Sequence, residues 1–174
     1  SMGFKESHGL KFHDEEYKKL FDEKNKILSD PLTPAGANFD YLKKITNPHL
    51  IANLIKRFFA KLKTPIFPYN VFDKLMHDQG ISDKLQHVKC LISDLPSKNY
   101  FPLMFLFEFL NEKILPYEKW TKMTANNLAI CFAPCLLKSE KPSELDLIYA
   151  TKSSLVVKLI LDNFELIFGN KQHR

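Results

Sequence analysis

Apolar positions return every three to four residues along most of this chain, which is the spacing of helices that bury one face. From His13 to Leu28 a charged segment is interrupted by Tyr17, Leu20, Phe21, Ile27 and Leu28, and this predicts a one-sided surface helix. SDPLTPAGAN (29–38) holds two prolines and a glycine and predicts a loop, with a short helical stretch, FDYLKKI, after it. Asn47-Pro48 predicts a helix start, with asparagine as cap and proline at the first helical position. In the helix it opens, Leu50, Leu54, Phe58 and Leu62 share a stripe that Ile51, Ile55 and Phe59 widen. Lys56 is then a charge close to a largely apolar surface.

TPIFP, bracketed by Pro65 and Pro68, predicts an extended link. PYNVFDKLMHDQG predicts a short helix ending at Gly80, and Ser82 is the expected cap of a helix reaching about Leu95. In the helix that begins with PSKNY, Phe101, Phe105, Phe109, Leu103, Leu106 and Leu110 are apolar nearly all round, which predicts burial in the middle of a bundle. Pro142-Ser143-Glu144 predicts a last helical region with a break near Lys152-Ser153, amphipathic to Phe168 and closed by Gly169. The sum is seven to nine helices with short connections: an all-α, single globular multi-helix bundle. Residues 1–13 are expected to be a cloning remnant and N-terminal loop, 14–169 the helical domain and 170–174 a tail.

Composition narrows the function. The 174 residues are 45% hydrophobic with fifteen Phe and five Gly, enough for a core without staples. Cys90, Cys131 and Cys135 are odd in number and lack His or acid partners at ligand spacing. They are expected to be buried free thiols in a reducing compartment, with no metal site and no cofactor. No apolar run reaches membrane-spanning length. The formal charge is +5, but the lysines are scattered, and the only arginines are Arg57 and Arg174. That argues for a solvated surface and against nucleic acid, with membrane contact only indirect. The six His have no nucleophile or acid partner at readable spacing, so hydrolase chemistry is not expected.

KMTANNLAICFAPCLL (122–137) is the least ordinary stretch. Thr124 can cap the amide of Asn126 or Asn127. From Leu128 onward apolar side chains surround the axis, and Pro134 deprives the Ile130 carbonyl of its donor, so a kink or a stop is expected there. From composition alone this is a core helix with a satisfied asparagine.

The same stretch resembles the signature helix of the Rho-family GTPase-activating domain through Lys122, Met123, Thr124, Asn127, Leu128, Ala129, Ile130, Phe132, Ala133, Pro134 and Leu136. LISDLPSKNYFPLMFLFEFL (91–110) is similar to a second segment of that family through Leu95, Pro96, Asn99, Leu103, Leu106, Phe109 and Leu110. HLIANLIKRFFAKLKTPIFPYNVFDKL (49–75) is similar to a third, through Ala52, Leu54, Ile55, Lys56, Phe58, Phe59, Leu62, Pro65, Ile66 and Pro68. The resemblance covers about residues 47–168, with three long motifs in the family's order.

The resemblance implies an all-helical domain that docks on a GTP-bound Rho-family small GTPase, monomeric as an isolated domain and cytoplasmic. It implies GTPase-binding roles for Lys56, Arg57, Lys61, Asn127 and Pro134. Lys56 could instead be a snorkelling lysine, and Asn127 a helix-start amide bonded only inside its own domain. The family's catalytic arginine finger is expected before the helix at 14–28, where no arginine occurs; Lys11, in Gly9-Leu10-Lys11-Phe12, is the weak stand-in. A second family arginine falls at Ala60, with Lys61 next to it. On this reading the chain is not an enzyme but a regulatory module whose stimulation of GTP hydrolysis is in doubt. The alternative is a catalytically inactive GTPase-binding or protein-interaction adaptor.

Overall fold

The structure, a computed structural model, describes residues 48–77, 82–141 and 144–169. The chain divides into two compact units, residues 1–53 and 54–174. In the first, the described residues 48–53 are the opening turns of a helix. In the second, every described element is helical or a turn, as the apolar spacing predicts. The elements are α1 (Pro48–Ala60), α2 (Tyr69–Met76), α3 (Lys84–Ser93), α4 (Ser97–Phe109), a π turn (Leu110–Ile114), a 3₁₀ turn (Leu115–Tyr117), α5 (Glu118–Thr121), α6 (Ala125–Leu136), α7 (Asp146–Asp162) and α8 (Phe164–Phe168). No described helix is long and apolar enough to cross a membrane.

α6 and α7 form the most extensive helix pair, and α7 also packs on α2, α3 and α8. Leu136, Val157 and Ile160 are wholly buried along this seam, with Phe67, Met76, Ile92, Leu103, Phe107 and Leu110 filling the rest of the core. Each such side chain contributes about 1.5–3 kcal/mol relative to exposure. Phe168, on α8, lies 5.7 Å from Tyr100 and 6.1 Å from Phe107, and so closes α8 onto α4.

Residues 61–68 link α1 to α2 outside any helix, yet Pro65, Ile66 and Phe67 are buried. The amide of buried Asn99 satisfies this link by donating to the Ile66 carbonyl at 2.9 Å and more weakly to Pro65 at 3.4 Å. An unpaired carbonyl at this depth is costly, so a polar residue inside α4 is explained by the link it serves.

Several expectations change. Asp83, not Ser82, caps α3, its carboxylate accepting from the Gln86 amide at 2.9 Å. α4 is not buried all round: Phe101, Phe105 (59% exposed) and Phe109 form an outward row, while Tyr100, Leu103, Leu106 and Phe107 face the core. On α1, Phe59 rather than Phe58 is buried, and the helix ends at Ala60, before Leu62. α7 runs unbroken through Lys152-Ser153, because Ser154 returns its hydroxyl to the Ala150 carbonyl and Lys152 reaches out to the Met76 carbonyl. The break falls at Asn163 instead. Of the three free thiols only Cys135 is buried; Cys90 and Cys131 are exposed.

Candidate functional site

α6 begins where sequence predicts. The Thr124 hydroxyl accepts from the Asn127 amide at 3.2 Å, closing the first turn. The helix neither stops at Pro134 nor is wholly buried. It continues to Leu136, and Pro134 itself is exposed. Leu128, Ala129, Phe132, Ala133, Cys135 and Leu136 face the core. Asn127, Ile130 (55% exposed), Cys131 and Pro134 face outward. Their spacing of three, four and seven residues makes one continuous stripe. Pro134 cannot donate to the Ile130 carbonyl, yet the helix runs on past it.

Ile130 and Cys131 are thus members of an outward stripe that composition hid. Both are apolar and read as core. The signal that locates them is their offset from Asn127.

At the head of the stripe, the Asn127 side chain donates to the Lys122 carbonyl at 2.6 Å. Lys122 has φ 60°, the left-handed conformation that a residue with a Cβ seldom adopts. The Lys122 amide donates to Glu118 at 2.8 Å, ending α5. Asn127 therefore has the intradomain bond that its plain structural reading requires. It is also exposed, with its amide oxygen and second N–H beyond that bond.

At the other end, the last residues of α1 come near the segment that follows α6. Lys56 is half-buried on α1, and both Lys56 and Lys138 favour the thiolate of Cys135 electrostatically. Burial nevertheless dominates and pushes that thiol up to about 11. The Lys138 ammonium donates to the Ala60 carbonyl, one of the carbonyls that a helix end leaves without an internal partner. Arg57 is half-buried on the same helix, and Lys61, exposed, follows its end. Lys11 lies outside the described residues.

Asn127 and Cys135 are eight residues apart, about 12 Å along a helix axis at 1.5 Å per residue. The structure therefore gathers Lys56, Lys138 and the end of α6 at one pole, and Asn127 and Lys122 at the other, with Ile130, Cys131 and Pro134 between. That length fits well inside a protein–protein footprint of about 800 Å² per partner. Among the described residues no cluster of His, Cys, Asp or Glu could hold a metal ion.

Comparison with known proteins gives the family and the fold. The sequence model of the RhoGAP domain matches residues 15–141. Rho GTPase-activating protein 15 of Gallus gallus is 32% identical over 127 residues, covering 71% of this chain and 26% of its own length. Rho GTPase-activating protein gacY of Dictyostelium discoideum is 33% identical over 133 residues, covering 74% of this chain and 18% of its own length. This chain therefore spans about a quarter or less of those relatives. Among solved structures, the BH domain from Graf, the GTPase regulator associated with focal adhesion kinase, superposes with a TM-score of 0.68 at 23% identity, over 92% of this chain and 81% of that one. The relatives' names correct one expectation. They are GTPase-activating proteins, named for stimulating an enzymatic hydrolysis, so setting the chain apart from enzyme function does not stand.

Proposed function

The chain belongs to the RhoGAP domain family, and from that membership we propose that it binds a GTP-loaded Rho-type GTPase and regulates its GTP hydrolysis. The observation that carries this reading is the outward stripe of α6, Asn127, Ile130, Cys131 and Pro134, with Lys56 near the C-terminal end of that helix. An apolar strip of Ile130, Cys131 and Pro134 between polar ends is the composition of an interface centre with its rim. Lys56, Arg57 and Lys61 supply cations that steer and orient an acidic partner surface. The reducing cytoplasm is the proposed setting, in keeping with three free thiols.

In GTP hydrolysis the transferred phosphoryl group passes to water, and charge spreads over its three equatorial oxygens. A docked domain can act by holding the residue that orients the water, and the Asn127 amide is the candidate here. It can also add a cation. An arginine supplied in trans is worth roughly 10³–10⁵ in rate. The two arginines of this sequence, Arg57 and Arg174, lie on α1 and at the last position, and lysine lacks the planar fork that spans two acceptors. The domain is therefore proposed to stimulate by positioning, with a gain below about a hundredfold.

Single-turnover hydrolysis by Rho-type GTPases, with and without saturating domain, tests this. A modest gain that disappears in Asn127→Ala supports the reading. A gain of about 10³ or more, the range of a true finger, overturns the positioning mechanism.

A further inference from the structure

The turn that leads into α6 carries two large aromatic side chains in the open. Tyr117 is 56% exposed and Trp120 is 76% exposed, and their rings lie 6.2 Å apart. Large apolar side chains at such exposure mark contact surfaces when they are grouped and rigidly held. Here the backbone is held closely. The Thr121 hydroxyl donates to the Tyr117 carbonyl at 3.1 Å, and the Met123 amide donates to that hydroxyl at 3.2 Å. Lys122 closes α5 onto Glu118, and its carbonyl takes the Asn127 amide.

Trp120 is two residues from Lys122, at most about 7.6 Å between Cα atoms. Trp120 is therefore close along the backbone to the Lys122 carbonyl that Asn127 holds, at the head of the stripe. The surrounding charges are mixed: Lys113 pairs with Glu112 at 3.5 Å, and Lys119 and Lys122 neighbour Glu118. An anionic lipid surface calls for an uninterrupted cationic belt, which this turn lacks. A protein surface that is apolar with a polar margin fits it better.

We propose that Trp120 is an anchor of the GTPase interface of this chain: it packs on the GTP-loaded partner beside Asn127 and helps to select which Rho-type GTPase is bound. The proposal rests on the GTPase-docking reading above. Its physical basis is that Trp and Tyr dominate interface hot spots, and that a side chain already held on an ordered turn loses little freedom on binding.

Trp120 is the only tryptophan in the sequence, so it reports on itself. Incorporation of 5-fluorotryptophan gives a single fluorine resonance. The labelled domain is titrated with Rho-type GTPases carrying GDP or a non-hydrolysable GTP analogue, and separately with phosphatidylserine vesicles. The expected result is a resonance that shifts only with the GTP-analogue form. Trp120→Ala should weaken that complex about tenfold or more, with Trp120→Phe retaining most of the affinity and neither variant altering the melting temperature. If Lys56→Glu weakens binding while Trp120→Ala does not, docking stands and the anchor is wrong. If the wild type binds none of the GTPases, the docking reading itself fails. A resonance that responds to vesicles but not to GTPase overturns the proposal in favour of a lipid contact.

Discussion

The ammonium of Lys138 donates to the main-chain carbonyl of Ala60 across 78 residues of sequence. It ties the end of α1, which carries Lys56, to the end of α6, which carries the outward stripe. A cation at a helix C-terminus is also favoured by the helix dipole. Lys138→Met should cost about 0.5–1.5 kcal/mol, the net worth of one such bond, while Lys138→Arg, which also reaches the carbonyl, should restore stability. Urea unfolding of the three proteins checks this.

Asn99 carries a larger share. Its buried amide serves the Ile66 carbonyl at 2.9 Å. Asn99→Leu keeps the volume but strands the acceptor, so a loss of about 1–3 kcal/mol is expected, with the urea dependence of the unfolding energy unchanged.

The Cys135 thiol gives a pH dependence. Burial raises it to about 11 from its ordinary 9.0, against the opposing pull of its backbone hydrogen bond, Lys138 and Lys56. The folded state therefore holds its proton after the unfolded chain has released it. Stability is full below about pH 9 and falls as pH rises toward about 11, by up to roughly 2–3 kcal/mol from this one group. Burial raises Tyr100 as well, which acts in the same direction at higher pH. Cys135→Ala should flatten the first part of the decline; chemical denaturation between pH 8 and 11 measures it.

Thiol reactivity separates the three cysteines. Cys90 and Cys131 are exposed and Cys135 is buried, its thiol donating to the Phe132 carbonyl at 3.0 Å. At pH 8 the native domain should react rapidly at two sites and at the third only on unfolding, as mass spectrometry of an alkylation time course would show. In a Cys90→Ser background, alkylation of Cys131 should also abolish partner binding, since the adduct stands in the middle of the stripe.

Much of this was legible because it is local. Thr124 stands where an N-cap must, and its bond to Asn127 forms as written. The helical periodicity across 48–168 needs only residue spacing. What was hidden depends on which neighbour arrives. Ile130 and Cys131 look like core, and only the docking of α7 on one side of α6 leaves them outside. The Phe101, Phe105 and Phe109 row is chemically identical to a buried row, and its exposure is decided by packing. Ser82 and Asp83 are both good caps, and the backbone chose the second. The segment 110–121 carries no strong period, yet it turns three times and presents Trp120.

The central claim is that α6 and the end of α1 form one GTPase-docking face. Its most direct measurement is the equilibrium affinity of the purified chain for Rho-type GTPases in the two nucleotide states, with Lys56→Glu and Asn127→Ala alongside. Micromolar or tighter binding to the GTP-analogue form, weaker binding to the GDP form and at least about a tenfold loss in each variant is the predicted result. Equal affinity for both nucleotide states, or variants that bind as well as the wild type, would contradict it.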